Sequence, residues 1–118
     1  MALENLSHLS RSFGSNTTEI DEVLSIIGDD VGLTIDFCHA ETTGQTLRLL
    51  EKYHNQIYNV HLSNREHRTF HSETPELKKF LNKLEEYGYT GPLIMELSST
   101  CTTEEILKTK VIIANIIG

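Results

Sequence analysis

The feature that most constrains this chain is a regular alternation of short apolar segments with longer amphipathic ones. Three segments are rich in Val, Ile and Leu and do not alternate cleanly with polar residues, which is typical of strands covered on both faces. They are VGLTID (31–36), IYNVHLS (57–63) and PLIMELS (92–98). The first segment of the chain, MALENLS (1–7), is expected to be a fourth strand, cut short on its N-terminal side.

The segments between and after these strands have helical periodicity and recognisable helix ends. Helices are expected at 16–28, 43–54, 74–88 and 102–118. In the third of them Pro75 occupies the first helical position, and the segment ends on a glycine. The last begins with a Thr and a Glu in capping-box spacing.

The resulting order is four consecutive βα units, which indicates an α/β fold with parallel strands and right-handed helical crossovers. No linker or low-complexity segment interrupts it, so residues 1–118 are expected to form one domain. Both a four-stranded open sheet and part of a (β/α) barrel satisfy this order.

Composition excludes several classes of protein. A net charge of −7 argues against broad contact with nucleic acid, because phosphates require a basic surface. No apolar run approaches the roughly 18 residues of a membrane span, and the N-terminal residues do not resemble a signal peptide. Cys38 and Cys101 have no metal-ligand spacing, which suits a reducing compartment and predicts a cytoplasmic protein.

Each predicted strand ends near a residue that can bind a metal or move a proton. These residues are Glu4, Asp36, His61 and Glu96. Since the carboxyl ends of parallel strands meet at one edge, the four side chains are expected to converge there. Three carboxylates and one imidazole suit Mn²⁺, Zn²⁺, Co²⁺ or Mg²⁺, and the oxygen-rich set favours Mn²⁺ or Mg²⁺. The alternative for Asp36 alone is a turn or helix-capping role.

Further candidates lie in the loops that follow the strands. His39 and His71 are expected there as additional ligands or substrate contacts, the alternative being ordinary loop histidines. A small basic cluster, NREHR (64–68), offers Arg65 and Arg68 to a phosphate or sugar oxygen. The alternative for these arginines is a solvated charged loop.

Four short motifs, taken in order, resemble the last four strands of the xylose isomerase-like barrel superfamily. They are ALEN, GLTIDFCHA, VHLSN and GPLIMELS. That superfamily contains sugar isomerases and epimerases, and DNA repair enzymes of the endonuclease IV type. The resemblance implies a (βα)₄ half of a TIM-type barrel, with a divalent metal held by Glu4, Asp36, His61 and Glu96. The Asp36-x-x-His39 step is also a feature of the family.

The chain departs from the family in three respects. Such barrels need eight strands and about 250 residues, whereas four strands are predicted here. His71 is followed by SETPEL instead of a glycine-rich turn, and Thr69 stands where endonuclease IV-like enzymes place an Asp. A full endonuclease-type metal cluster is therefore not expected.

The function implied by the resemblance is isomerisation or epimerisation of a small sugar or sugar phosphate. Glu4 and Glu96 would remove a proton and return one through an enediolate. Two alternatives stay open: a truncated or degenerate, non-catalytic barrel fragment that functions only in an assembly, and an endonuclease IV-like phosphodiesterase.

A half barrel leaves two outer strands without a neighbour, and soluble proteins cover such edges. We therefore expect a homodimer or a higher even oligomer. Strand alternation places Leu33 and Ile35 beneath the helices. It places Thr34, Ile57, Asn59 and Ile94 on the opposite face, below the expected site.

Overall fold

Within the described residues, four parallel strands form one sheet in the order in which they occur along the chain. They are β1 (Ala2–Glu4), β2 (Gly32–Asp36), β3 (Ile57–Leu62) and β4 (Leu93–Met95). The structure is a computed structural model that describes residues 2–5, 14–28 and 30–117; residues 1, 6 and 7 of the predicted first strand lie outside them. When neighbouring strands in a sheet are also consecutive along the chain, the chain progresses across the sheet in one direction, as it does around a barrel. The (βα)₄ half-barrel prediction is therefore confirmed.

In the part of the chain that the structure describes, five α-helices accompany the strands. They are α1 (Thr17–Ile27), α2 (Phe37–Thr43), α3 (Thr46–Tyr53), α4 (Pro75–Glu86) and α5 (Thr103–Ile117). The four predicted helices are present, and α2 is an addition that follows β2 without a loop. None of the helices in the described residues has the length and apolar character that crossing a membrane requires.

Helix α2 corrects the expectation that His39 lies in a loop. The Asp36 side chain accepts a hydrogen bond from the His39 backbone N–H at 2.9 Å, which makes Asp36 the N-cap of this helix. The helix ends at Gly44, whose φ of 68° is favourable for glycine. His39 is thus held in the first turn of a helix.

The core lies between the helices and one face of the sheet. The side chains that β2 and β3 direct to this face are at most 1% exposed: Leu33, Ile35, Val60 and Leu62. Phe80 of α4 packs against Phe37, with ring centroids 5.0 Å apart. The prediction that Leu33 and Ile35 pack under the helices is confirmed.

A register shift between β2 and β3 corrects the placement of Ile57. Leu33 pairs with Ile57 and Thr34 pairs with Asn59, so that Tyr58 has no partner of its own in β2. Ile57 consequently packs against the core, and its predicted position on the site face is wrong. The exposed Tyr58 ring lies where a side chain on Gly32 would be, which explains the glycine at the start of β2.

The other face of the sheet is more open. Asn59 donates a hydrogen bond to the Thr34 hydroxyl at 3.3 Å, and Ile94 on the outer strand β4 is 42% exposed. In the described residues β1 pairs only with β2, and β4 only with β3. Both outer edges of the sheet therefore carry backbone groups without a strand partner.

Candidate metal centre

The carboxyl ends of all four strands carry the predicted ligands to one edge of the sheet. Glu4 and Asp36 are the last residues of β1 and β2, and His61 pairs in register with Asp36. Glu96 follows β4, and its N–H donates to the Leu62 carbonyl at 3.2 Å, which continues the strand pairing by one residue. Parallel pairing in chain order is thus sufficient to bring these four positions together.

The four side chains converge on one space. One ligand atom from each of Glu4, Asp36, His61 and Glu96 lies within 4.8 Å of the other three. The His61 Nδ1 atom is 2.5 Å from Glu96 Oε2 and 3.5 Å from Glu4 Oε1. Among the described residues, no other group of this kind was found.

Three atoms in this cluster are buried and have no hydrogen-bond partner among the described residues: Glu4 Oε1, Asp36 Oδ2 and His61 Nδ1. Although Glu96 is close to His61 Nδ1, the pair does not have hydrogen-bond geometry. An unpaired buried polar atom costs about 1–3 kcal/mol. A divalent cation would satisfy two oxygens and one nitrogen together, and it would offset the carboxylate charges. The donor set therefore fits such an ion.

Electrostatics at the cluster lead to the same conclusion. The pKa of Glu4 is raised, first by burial, then by its contact with Asp36 and by the nearby charges of Asp36 and Glu96; His61 acts in the opposite direction. Neighbouring carboxylates disfavour each other's charged form. A cation among them would reverse this effect and keep all three ionised.

Asp36 combines the two roles that the sequence left as alternatives. Its Oδ1 accepts the hydrogen bond that caps α2, and its Oδ2 is the unpaired atom of the cluster. The cap fixes the orientation of the carboxylate, because one oxygen is tied to the helix. The other oxygen remains for a ligand.

Asn5 is a structural member of the site that the sequence analysis did not single out. This fully buried side chain donates to the Asp36 carbonyl at 3.1 Å and accepts from the Asp36 N–H at 2.6 Å. The backbone carbonyl oxygen of Asn5 is 2.9 Å from His39 Nδ1. Asn5 therefore joins the ends of β1 and β2 and positions His39. The only hint in the sequence was its place next to Glu4.

His39 lies beside the cluster. Its Nδ1 is 3.7 Å from Asp36 Oδ2 and 3.8 Å from Glu4 Oε1, and its hydrogen-bond distance to the Asn5 carbonyl favours a proton on Nδ1. In the neutral ring, Nε2 is then the acceptor.

The other three predicted substrate contacts are not brought into the cluster. Arg68 contacts the Thr100 hydroxyl and lies 3.4 Å from Glu105 Oε2. Arg65 donates to the Glu41 carbonyl at 2.7 Å and lines a separate cavity of about 370 Å³. His71 is exposed on the loop before α4.

Comparison with known proteins agrees with this fold. A family model described as xylose isomerase-like TIM barrel matches residues 1–111. No curated protein matches the chain at a significant level of sequence similarity.

Similar solved structures are sugar epimerases. A 3-keto-D-glucoside 4-epimerase from E. coli superposes with a TM-score of 0.73 at 14% identity, over 98% of this chain and 44% of that one. A D-allulose 3-epimerase from Methylomonas sp. gives 0.70 at 15%, over 94% and 40%. An L-ribulose 3-epimerase gives 0.69 at 17%, over 94% and 38%. At these identities the likeness concerns the fold, and the chain spans about two fifths of each epimerase.

Proposed function

The chain belongs to the xylose isomerase-like TIM barrel family, and from this premise we propose that it is the metal-binding half of a sugar isomerase or epimerase. The observation that carries the proposal is the convergence of Glu4, Asp36, His61 and Glu96 within 4.8 Å, with buried unpaired atoms on three of them. An edge used only for structure would pair these atoms with protein groups.

In this proposal the four side chains hold one divalent cation, for which Mn²⁺ or Mg²⁺ suits the oxygen-rich set and Zn²⁺ or Co²⁺ is also compatible. A cation bound there would polarise a sugar carbonyl and its neighbouring hydroxyl and so acidify the adjacent C–H. Glu4 ends the outer strand β1 and Glu96 directly follows the outer strand β4, so that the two carboxylates flank His61 from opposite sides. From these positions one carboxylate removes the proton and the other returns one to the opposite side of the carbon.

The proposed substrate is a small sugar or sugar phosphate. His39 is the best placed of the predicted contacts, because its ring borders the cluster. To bind a phosphate group, Arg65 would first have to release the Glu41 carbonyl, and Arg68 would have to release the Glu105 carboxylate. His71 would need a substrate that extends over the loop before α4.

Phosphodiester cleavage of the endonuclease IV type has less support. Thr69 occupies the place of an expected metal-binding Asp, and its buried hydroxyl donates to Glu105 Oε2 at 3.1 Å. The net charge of −7 also opposes binding to a phosphate backbone.

Assembly is part of the proposal, because neither outer strand has a second neighbour among the described residues. The helices that follow the outer strands also expose apolar side chains: Ile26 of α1 is 82% exposed, and Leu107 and Val111 of α5 are 57% and 58% exposed. A second copy related by a two-fold axis would pair β4 of each chain with β1 of the other and close eight strands. A half barrel that is functional only in such an assembly is the second candidate, and the open edges favour it. Sedimentation over a range of concentrations tests the dimer, and a monomer protected from hydrogen exchange in all four strands would contradict it.

Metal binding tests the site itself. Titration of the metal-free chain with Mn²⁺ should show one site, and Asp36→Ala and His61→Ala should each weaken it at least tenfold. His54→Asn is the matched control, since His54 stacks on Tyr87 at the other end of β3. Equal affinities in all four proteins would contradict the proposed site.

Turnover separates the candidate functions. The monomeric chain should show little or no sugar isomerase or epimerase activity even with metal, because orienting a substrate supplies about 7–11 kcal/mol of the barrier and half of the pocket wall is missing. Robust turnover by a verified monomer would contradict this expectation.

A further inference from the structure

The four side chains of the candidate metal centre differ in how far the protein covers them. Those on the inner strands are the more buried, with 1% of the Asp36 side chain and 22% of the His61 side chain exposed. Those at the outer strands are open, 34% exposed for Glu4 and 51% for Glu96. The two open carboxylates therefore lie at the sheet edges to which a second copy would add its strands.

The register of the sheet shows what would meet these carboxylates. Followed from strand to strand, it leads from Glu4 through Thr34 and Asn59 to Pro92, the residue before β4. Glu96 lies four residues beyond Pro92, and yet its carboxylate shares the cluster with that of Glu4. The sheet is therefore staggered by four residues across its four strands.

This stagger is half of what a closed barrel needs. Eight parallel strands close into a TIM-type barrel when the register advances by about eight residues in one circuit. Two copies related by a two-fold axis along the barrel would each contribute half of that advance. Glu96 of each copy would then lie directly opposite Glu4 of the other copy.

The outward-facing backbone groups fit the same register. The Glu96 N–H donates to a carbonyl of β3, and the Asn5 N–H donates to a carbonyl of β2. Since successive residues of a strand turn their N–H groups to opposite edges, the N–H groups of Met95 and Glu4 point away from the sheet. With Glu96 opposite Glu4 of the second copy, the Met95 carbonyl accepts from that Glu4 N–H. A register shifted by one residue would leave both groups without a partner.

Closing the barrel in this register has an electrostatic cost. Neighbouring strands are about 4.8 Å apart, and like charges directly opposite each other are destabilising. Glu96 and Glu4 of the second copy form such a pair at both junctions, and three carboxylates from each copy meet at one end of the barrel. Each copy also has a net charge of −7. A divalent cation in each cluster would offset this repulsion.

We propose that a divalent cation controls the assembly of this chain: metal-loaded copies close an eight-stranded dimer through β4 and β1, and metal-free copies associate much more weakly. This inference rests on the proposed function. In such a dimer α1 of one copy lies beside α5 of the other, which covers the exposed side chains of Ile26, Leu107 and Val111. By linkage, the dimer also binds the cation more tightly than the monomer does.

The test measures self-association of the full chain with and without metal. Sedimentation equilibrium gives the dimer dissociation constant in a chelator and in Mn²⁺ at a concentration that fills the wild-type site. Glu96→Gln removes one of the opposed charges, and Glu51→Gln, on the exposed side of α3, is the matched control. His61→Ala keeps every carboxylate but weakens the ion site. Hydrogen exchange at the Met95 N–H reports pairing at the β4 edge.

The inference expects Mn²⁺ to tighten the dimer at least about tenfold in wild-type protein and in Glu51→Gln, which is within the usual range for two coupled sites. In the chelator, Glu96→Gln should dimerise more tightly than the wild type, because one repulsion at each junction is gone. Mn²⁺ should have little effect on the dimer of His61→Ala. The Met95 N–H should be protected from exchange only in the metal-loaded dimer.

Other outcomes overturn the inference in distinguishable ways. Equal dissociation constants with and without metal, in a chain that binds Mn²⁺, contradict the coupling and leave the metal site of the proposed function standing. A metal-dependent dimer in which the Met95 N–H exchanges freely contradicts pairing through β4. Equal tightening in His61→Ala assigns the effect of Mn²⁺ to charges outside the cluster and contradicts the inference. A chain that binds no Mn²⁺ refutes the proposed function and the inference with it.

Discussion

The helix-covered face of the sheet and its carboxyl edge are built from the same strands but obey opposite rules. On the covered face, Leu33 and Ile35 of β2 are 1% exposed and belong to the hydrophobic core. One residue further, Asp36 is equally buried, and one of its oxygens has no partner in the described part of the chain. The first region stabilises the fold by removing apolar surface from water. The second lowers stability in the absence of a ligand, which is typical of a functional site.

The largest effect that this comparison predicts is on the covered face. Phe80→Ala should lower the free energy of unfolding by about 3–5 kcal/mol, because Phe80 is fully buried against Phe37 and truncation leaves a cavity. Urea denaturation at a fixed protein concentration measures the loss. The Mn²⁺ affinity of the protein that remains folded should not change, and a parallel loss of affinity would show that the two regions are not separable.

A bound metal ion should offset the loss of stability that the unpaired ligand atoms cause at the carboxyl edge. A divalent cation at about 100 times its dissociation constant should stabilise the chain by about 2.7 kcal/mol. Thermal unfolding with Mn²⁺ and with a chelator measures this difference. His61→Ala should abolish the difference, and a metal-induced shift of the same size in that variant would place the ion elsewhere.

Two substitutions at Asp36 distinguish the helix-capping role of one oxygen from the proposed metal-binding role of the other. Asp36→Asn keeps an N-cap for α2 and removes the charge, whereas Asp36→Ala removes both. Both variants should lose Mn²⁺ affinity, but the metal-free Ala variant should be less stable than the Asn variant by about 1 kcal/mol, the usual value of an N-cap. Equal stabilities would mean that the cap contributes nothing to the fold.

The smallest predicted effect is on the pH dependence of the free energy of unfolding. Burial and neighbouring carboxylates raise the pKa of Glu4 in the folded, metal-free chain above its usual value of 4.5. The folded state then binds more protons than the unfolded state between these two pKa values, so stability should fall as pH rises through that interval. Glu4→Gln should lack this part of the slope. Denaturation profiles of the two metal-free proteins measure the difference, and identical profiles would show that the folded state does not raise the Glu4 pKa.

Most of the fold and the whole of the candidate metal cluster could be predicted from local patterns in the sequence. Buried strands and capped helices in alternation imply parallel strands, and parallel strands bring their carboxyl ends to one edge whatever their detailed packing. Glu4, Asp36, His61 and Glu96 could be chosen for that reason alone. The pattern could not choose between an open sheet and a half barrel without the family resemblance, because both have the same order of elements.

Contacts between residues distant in sequence decided the rest. The extra residue at Tyr58 moves Ile57 to the core, and it depends on how β3 meets Gly32 across the sheet. The partners of Arg68 lie in the segment 100–105, and His67 reaches His39 only when the ends of β2 and β3 are adjacent. Strand periodicity and helix caps are local properties that a sequence displays directly. The direction of a loop side chain is determined by packing between segments, and only the tertiary structure contains that information.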